Sequence, residues 1–270
     1  KGPPLVLLHG FPQTGVEWHR VAPQLAKHFT LIIPDLRGYG FSSAPKGETT
    51  FYSKRAMGSD VIAILDQLNY REPVRIVGHD RGARVTYRLA LDHPTRVQRV
   101  ALIDIAPTLC VWEGLNATSA MKIYHWMFLA QPFPLPERLI AADPAFYVDH
   151  TIASWTASRR IASYDARAMD HYRANLLRPD YTHAACQDYR AGQTHDLAHD
   201  RASRDRGETI QCPTFILWGE AGIPAAGGPL QQWRETFAPN AEGKALACGH
   251  FTPEEDPQGT LDALLPFLTR

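Results

Sequence analysis

The sequence predicts an α/β protein: a mostly parallel sheet flanked by helices, with an α-helical segment inserted part-way along the chain. Three observations carry this. Short apolar runs alternate with helix-like stretches at both ends of the chain, as buried parallel strands joined by right-handed crossovers require. Residues 107–205 show helical patterns and no strand pattern. A Gly-x-Asp-x-Gly turn, Gly78 to Gly82, joins an apolar run to a helical one. Small residues at that spacing let a strand bend sharply into a helix and hold the central side chain at the tip.

Taken in order, Leu5-Val6-Leu7-Leu8 reads as the first strand and is stopped by His9-Gly10-Phe11-Pro12. Helical periodicity covers Gly15 to His28, with Trp18, Val21, Leu25 and Ala26 on one side. Leu31 to Ile33 is the second strand. Ser53 to Leu68 reads as a helix with Ser53 as its N-cap. Val74 to Val77 is the next strand, and after the turn a helix runs to about Leu91. Val100 to Ile103 is a strand ending at Asp104. Beyond Pro107 come helical stretches rich in Trp, Tyr, His and Ala, punctuated by Pro132, Pro134, Pro136, Pro144 and Pro179. They are expected to cap the C-terminal edge of the sheet. The strand–helix rhythm resumes with Thr214 to Trp218, Leu230 to Phe237, a weaker strand Lys244 to Ala247, and a last helix Leu261 to Leu268. The core is therefore expected to be discontinuous, residues 1–106 plus 206–270, around a cap of residues 107–205.

The length of 270 residues suits one such domain with an insertion. Lys plus Arg equals Asp plus Glu, 28 each, which gives no support to nucleic acid or an anionic membrane as partner. No apolar run reaches spanning length. Cys110, Cys186, Cys212 and Cys248 form no C-x-x-C pair, and no His/Cys cluster has zinc spacing. They are expected to be reduced thiols of a cytoplasmic protein that uses no metal and no cofactor. The chain starts Lys1-Gly2-Pro3-Pro4, directly before a strand and without methionine, so a preceding segment is expected.

The chemistry centres on Asp80. Serine is the usual occupant of such a turn. A carboxylate has no proton to lose in the serine scheme, but it can attack a saturated carbon and form an ester. The plainer alternative, helix capping, leaves the two glycines and the preceding strand unexplained. Arg81 and Arg84, three apart where a helix opens, can share one face. A helix start already favours an anion, and two guanidiniums there suit a substrate carboxylate.

His9-Gly10-Phe11-Pro12, the Gly78–Gly82 turn and the late Gly249-His250 resemble the α/β-hydrolase fold. An Asp at the turn narrows the likeness to haloalkane dehalogenases, epoxide hydrolases and haloacetate dehalogenases. Gly78-His79-Asp80-Arg81-Gly82-Ala83-Arg84 resembles the fluoroacetate dehalogenases. So do Tyr124-His125-Trp126, Gln131-Pro132-Phe133-Pro134 and Asp188-Tyr189-Arg190-Ala191-Gly192.

His250, after the last strand, then suits a general base that activates water. Its orienting acid is either Asp104 or Glu220, and the resemblance favours Asp104. The resemblance further implies the backbone N–H groups of Phe11 and Arg81 as oxyanion donors. It places His125, Trp126 and Tyr189 around the departing halide, and Trp155 in the cap near the substrate entrance. The activity implied is hydrolysis of haloacetates, fluoroacetate included, by a homodimer whose partners are a small haloacid and water. An epoxide hydrolase with the same Asp and His, and a non-catalytic binding protein on this fold, are the alternatives.

Overall fold

The computed structural model describes residues 2–270. Six parallel strands form one sheet: β1 (Pro4–Leu8), β2 (Thr30–Ile32), β3 (Val74–His79), β4 (Val97–Ile103), β5 (Thr214–Gly219) and β6 (Glu242–Leu246), in the order β2-β1-β3-β4-β5-β6. Leu8 lies opposite Gly78, His79 opposite Ile103, and Ile103 opposite Leu217. This register brings the loops that leave β1, β3, β4 and β5 to one edge. The chain reverses direction across the sheet between β1 and β3, the place where open α/β sheets hold their ligands.

Successive strand residues face opposite ways, so each strand feeds two cores. Val6, Leu8, Ile76, Val100, Leu102 and Ile216 face one side. Leu5, Leu7, Val77, Ala101, Ile103 and Leu217 face the other. The chain's helices begin with α1 (Ala22–Leu25), α2 (Lys54–Gln67) and α3 (Asp80–Asp92). In α2 the Ser53 hydroxyl accepts from the Ala56 N–H, a side-chain N-cap. Met57, Val61 and Leu65 recur at a spacing of four and bury one stripe on the first core. Trp18, Val21 and Leu25 pack into the second core.

The helix expected over Gly15–His28 is instead a 3₁₀ helix, Gly15–Arg20, followed by the short α1. Pro23 is the cause. It has no N–H to donate back to the preceding 3₁₀ turn, and it sits in the first turn of α1, where that N–H would have no partner anyway, so a new helix starts there.

Eight helices lie between β4 and β5: α4 (Thr108–Glu113), α5 (Ala117–Lys122), α6 (Tyr124–Leu129), α7 (Leu135–Ala142), α8 (Pro144–Trp155), α9 (Ala166–Leu176), α10 (Pro179–Ala191) and α11 (Leu197–Asp205), with a π-helical turn at Gly192–Asp196 joining the last two. Three more follow β5: α12 (Pro229–Thr236), α13 (Thr252–Glu255) and α14 (Pro257–Leu268). Among the described residues no helix is long and apolar enough to cross a membrane.

Candidate active site

Strand β3 passes into α3 without a loop, and Asp80 is the first helical residue. Its φ is +44°, a left-handed value that costs a non-glycine residue about 1–3 kcal/mol. The flanking glycines make the bend possible. A Cβ on Gly78 would sit 2.5 Å from the Gly82 carbonyl oxygen, and one on Gly82 would sit 2.2 Å from that of Leu8.

The carboxylate so presented is buried and polarised. Oδ1 accepts the Phe11 N–H at 2.9 Å. Oδ2 faces Nε2 of His250 at 3.9 Å. The Arg81 N–H belongs to the first turn of α3, where a helix supplies no acceptor. Burial opposes charge on Asp80, but the neighbouring groups that can be cationic, His250 when protonated, then Arg81, His79 and Arg84, outweigh it and hold the carboxyl well below its usual range.

His250 is reached from the other end of the chain. Its Nδ1 lies 2.5 Å from Oδ2 of Asp104. That partner accepts only, so Nδ1 carries the proton and Nε2 is the basic nitrogen. Asp104 is fixed in turn: its Oδ1 accepts the Gly219 N–H at 2.9 Å and its Oδ2 the Ile223 N–H at 3.2 Å. A Cβ at Gly222 would lie 2.2 Å from the carboxylate, so only glycine lets this loop close over Asp104. Glu220, the other candidate acid, is exposed. The His250 N–H donates to the Trp155 carbonyl at 3.0 Å, which ties the base to α8.

Arg81 and Arg84 are both buried, but they are not equivalent. Arg81 makes a forked pair with Asp188 on α10, Nε to Oδ2 at 3.0 Å and Nη2 to Oδ1 at 2.5 Å. Lys54 also bonds Asp188, and the Tyr39 hydroxyl donates to it at 3.3 Å. Burial works against the Asp188 charge, yet Arg81 and then Lys54 keep its carboxyl below the usual range. Arg81 keeps Nη1 buried without a partner. Arg84 has no carboxylate. Its Nη1 donates to the Ala106 carbonyl at 3.1 Å and to the Thr108 hydroxyl at 2.9 Å, and its Nε is unpartnered.

The rings expected around a halide do gather here. The Arg81 guanidinium lies 4.2 Å from the Tyr189 ring centre, and that of Arg84 lies 4.4 Å from Trp126. His125 is 5.7 Å from Tyr189 and 4.3 Å from Trp155, centre to centre. Burial, partly offset by the charge of Asp80, pushes His125 down to about 3, so the imidazole is neutral at neutral pH. Its Nδ1 and the Tyr189 hydroxyl are buried without hydrogen-bond partners among the described residues.

Trp155 is the residue expected near the substrate entrance. It is buried, with its ring between those of His125 and His250, 5.3 Å from the latter. Its position at the last turn of α8, where its carbonyl binds the His250 loop, explains this depth.

A cavity of about 300 Å³ opens onto this centre. Asp80, Arg84, Asp104, Trp126 and His250 line it, together with residues of the stretch after α4 and of the loop after β5. Sequence reasoning assigned no role to Asp188, Lys54, Glu17 or His79. Asp188 holds Arg81, and Lys54 shares the Asp188 carboxylate. The last two meet beneath the Gly10–Phe11 turn, with His79 Nδ1 at 3.2 Å from Glu17 and Glu17 accepting the Gly10 N–H.

Comparison with known proteins places the chain in a family. Residues 3–257 match the family described as the alpha/beta hydrolase fold. The fluoroacetate dehalogenase of Burkholderia sp. is 40% identical over 99% of this chain and 88% of its own length. The soluble epoxide hydrolase of Corynebacterium sp. (strain C12) is 35% identical over 98% of this chain and 90% of its own. The crystal structure of ALR0039 from Nostoc sp. PCC 7120 superposes with a TM-score of 0.95 at 45% identity, covering 100% of this chain and 92% of that one. The chain belongs to the fluoroacetate dehalogenase family of the α/β-hydrolase fold.

Proposed function

We propose that this hydrolase removes halide from haloacetates, fluoroacetate included. One observation carries the reading: Arg84, a buried guanidinium with only neutral acceptors, lines the same cavity as Asp80. A buried cation without an anion is costly, and a substrate carboxylate supplies the missing charge. Neutral haloalkanes and epoxides do not.

In this reading Asp80 attacks the halogen-bearing carbon as the carbon–halogen pair leaves with the halide. Oδ2 is the attacking oxygen, because Oδ1 is held by Phe11. His125, Trp126 and Tyr189 offer hydrogens to the departing atom. Fluoride leaves poorly and gathers charge as its bond breaks, so donors aimed at it act where the barrier is highest.

The product of this step is an ester on Asp80. His250 Nε2 then takes a proton from water, and the hydroxide adds to the Asp80 carboxyl carbon. The resulting oxyanion is held by the N–H groups of Phe11 and Arg81. Its collapse expels glycolate, which takes the proton from His250. Asp80, with its depressed proton affinity, releases the last proton to solvent. Asp104 keeps the imidazole in the tautomer this requires.

Fluoroacetate and chloroacetate incubated under halide-selective electrodes test the reading. Halide from the native protein and none from Asp80→Ala supports it; no halide from either acid, with folded protein, overturns it. Epoxide opening is the second reading. The unpartnered Tyr189 hydroxyl favours it, since a phenol can protonate an epoxide oxygen, and so does the likeness to a soluble epoxide hydrolase. Diol from styrene oxide without dehalogenation would select it.

A further inference from the structure

We propose that His79 is a positioning residue that works as an imidazolium clamp, its two N–H groups tying the main chain of His250 to the carboxylate of Glu17. This rests on the proposed roles of Asp80 and His250, and it adds a residue beside them that touches neither substrate nor reacting atom.

The geometry requires two donors on one ring. His79 Nε2 lies 3.0 Å from the His250 carbonyl oxygen, and Nδ1 lies 3.2 Å from Glu17 Oε2. Both partners accept. A neutral imidazole has one N–H and can satisfy only one of them; the protonated ring satisfies both. The same Glu17 oxygen accepts the Gly10 N–H at 3.0 Å. Gly10 precedes Phe11, whose N–H holds Asp80. One carboxylate and one imidazolium thus join the three loops that carry the oxyanion donor, the nucleophile and the base.

The charged groups around His79 fit this assignment. Glu17 comes from the 3₁₀ helix, Asp80 is the next residue, and Asp104 stands behind His250. Glu254 of α13 lies on the far side. Burial and the charge of Glu17 push Glu254 up to about 8, so it is protonated at neutral pH; it is held by Gln13 and by the Tyr172 hydroxyl at 3.1 Å. Burial opposes charge on His79 as well, but Glu17 more than compensates and raises it to about 9. The ring centres of His79 and His250 are 4.6 Å apart. The cation then stands directly beside the base, where like charges repel.

Two measurements test the clamp. In native protein labelled with ¹⁵N-histidine and assigned through the chain, both His79 ring nitrogens should read as protonated at pH 7 and titrate near pH 9. A neutral tautomer at pH 7 overturns the proposal, whatever substrate the enzyme takes. In His79→Gln the amide can still donate to the His250 carbonyl, but the charge is gone. The acid limb of Asp80 ester hydrolysis, read in single turnovers with chloroacetate, should then move to higher pH by about half a pH unit or more. A slower variant with an unmoved profile means a structural role alone and overturns the proposal. If the native protein does not dehalogenate chloroacetate, the haloacid reading fails while the nitrogen spectrum still decides the clamp.

Discussion

Arg81 of α3 and Asp188 of α10 form a forked ion pair, Nε to Oδ2 at 3.0 Å and Nη2 to Oδ1 at 2.5 Å. Arg84, three residues on, has only the Ala106 carbonyl and the Thr108 hydroxyl. The two arginines should therefore fail differently. Arg81→Ala leaves Asp188 buried with Lys54 as its main cation, and breaking a buried pair costs about 3–5 kcal/mol. Its signature is a lowered melting temperature. Arg84→Ala breaks no ion pair. It should fold normally and raise KM for haloacetate by about 30- to 100-fold, the loss of a charge-assisted contact of about 2–3 kcal/mol. Steady-state kinetics beside thermal melts separate the two.

Asp104 should matter to the second half of the reaction more than to the first. Asp104→Asn takes away the acceptor that fixes the His250 tautomer, so ester should build up on Asp80 while the first equivalent of halide is still released. Turnover should fall by about 10³- to 10⁴-fold. Glu220→Gln should leave turnover unchanged. Quenched-flow halide release shows whether a burst of one equivalent precedes the stall.

Tyr189 carries a buried hydroxyl without a partner. Tyr189→Phe should therefore leave stability unchanged or raise it by about 1 kcal/mol, since the variant no longer buries an unsatisfied group. Its fluoroacetate activity should nevertheless drop by about 10- to 100-fold. Bromide gathers less demand for a hydrogen bond as it leaves, so bromoacetate should suffer less. The ratio of kcat/KM for the two acids reads the difference.

Stability should decline on the alkaline side. Glu254 is raised from 4.5 to about 8, and Asp200 from 3.8 to about 7, in both cases first by burial. A group whose folded value is raised stabilises fully below its unfolded value, and that contribution is lost as pH climbs through the folded one. The windows are therefore about 4.5 to 8 for Glu254 and about 3.8 to 7 for Asp200. His125 has the opposite sign: lowered from 6.5 to about 3, it withdraws stability as pH falls through that interval. Melting temperature should drop between pH 6 and 8, and Glu254→Gln should flatten the drop.

How much of this was legible in the sequence follows from how local each signal is. Asp104 stands directly after an apolar run and Asp80 and His250 within three residues of one, and a strand end is visible in a few residues. The Gly78–Gly82 spacing forces the bend by itself, because a Cβ at either position meets backbone. Asp188 and Lys54 are 134 residues apart, and Glu17 and His79 are 62 apart. No local pattern marks such pairs, since each meets its partner only after the cap has folded over the sheet or the first loop under β3. The depth of Trp155 is not readable for the same reason: its aromatic character is plain, but its burial depends on the His250 loop bonding the end of α8. Pro23, by contrast, was readable and broke the helix expected across it.

The covalent step is the most direct test of the account. His250→Ala protein, treated with chloroacetate, digested and examined by mass spectrometry, should carry one carboxymethyl group on the peptide containing Asp80, held there because water is no longer activated. An unmodified Asp80 in protein that has released chloride, or the group on another residue, would contradict it.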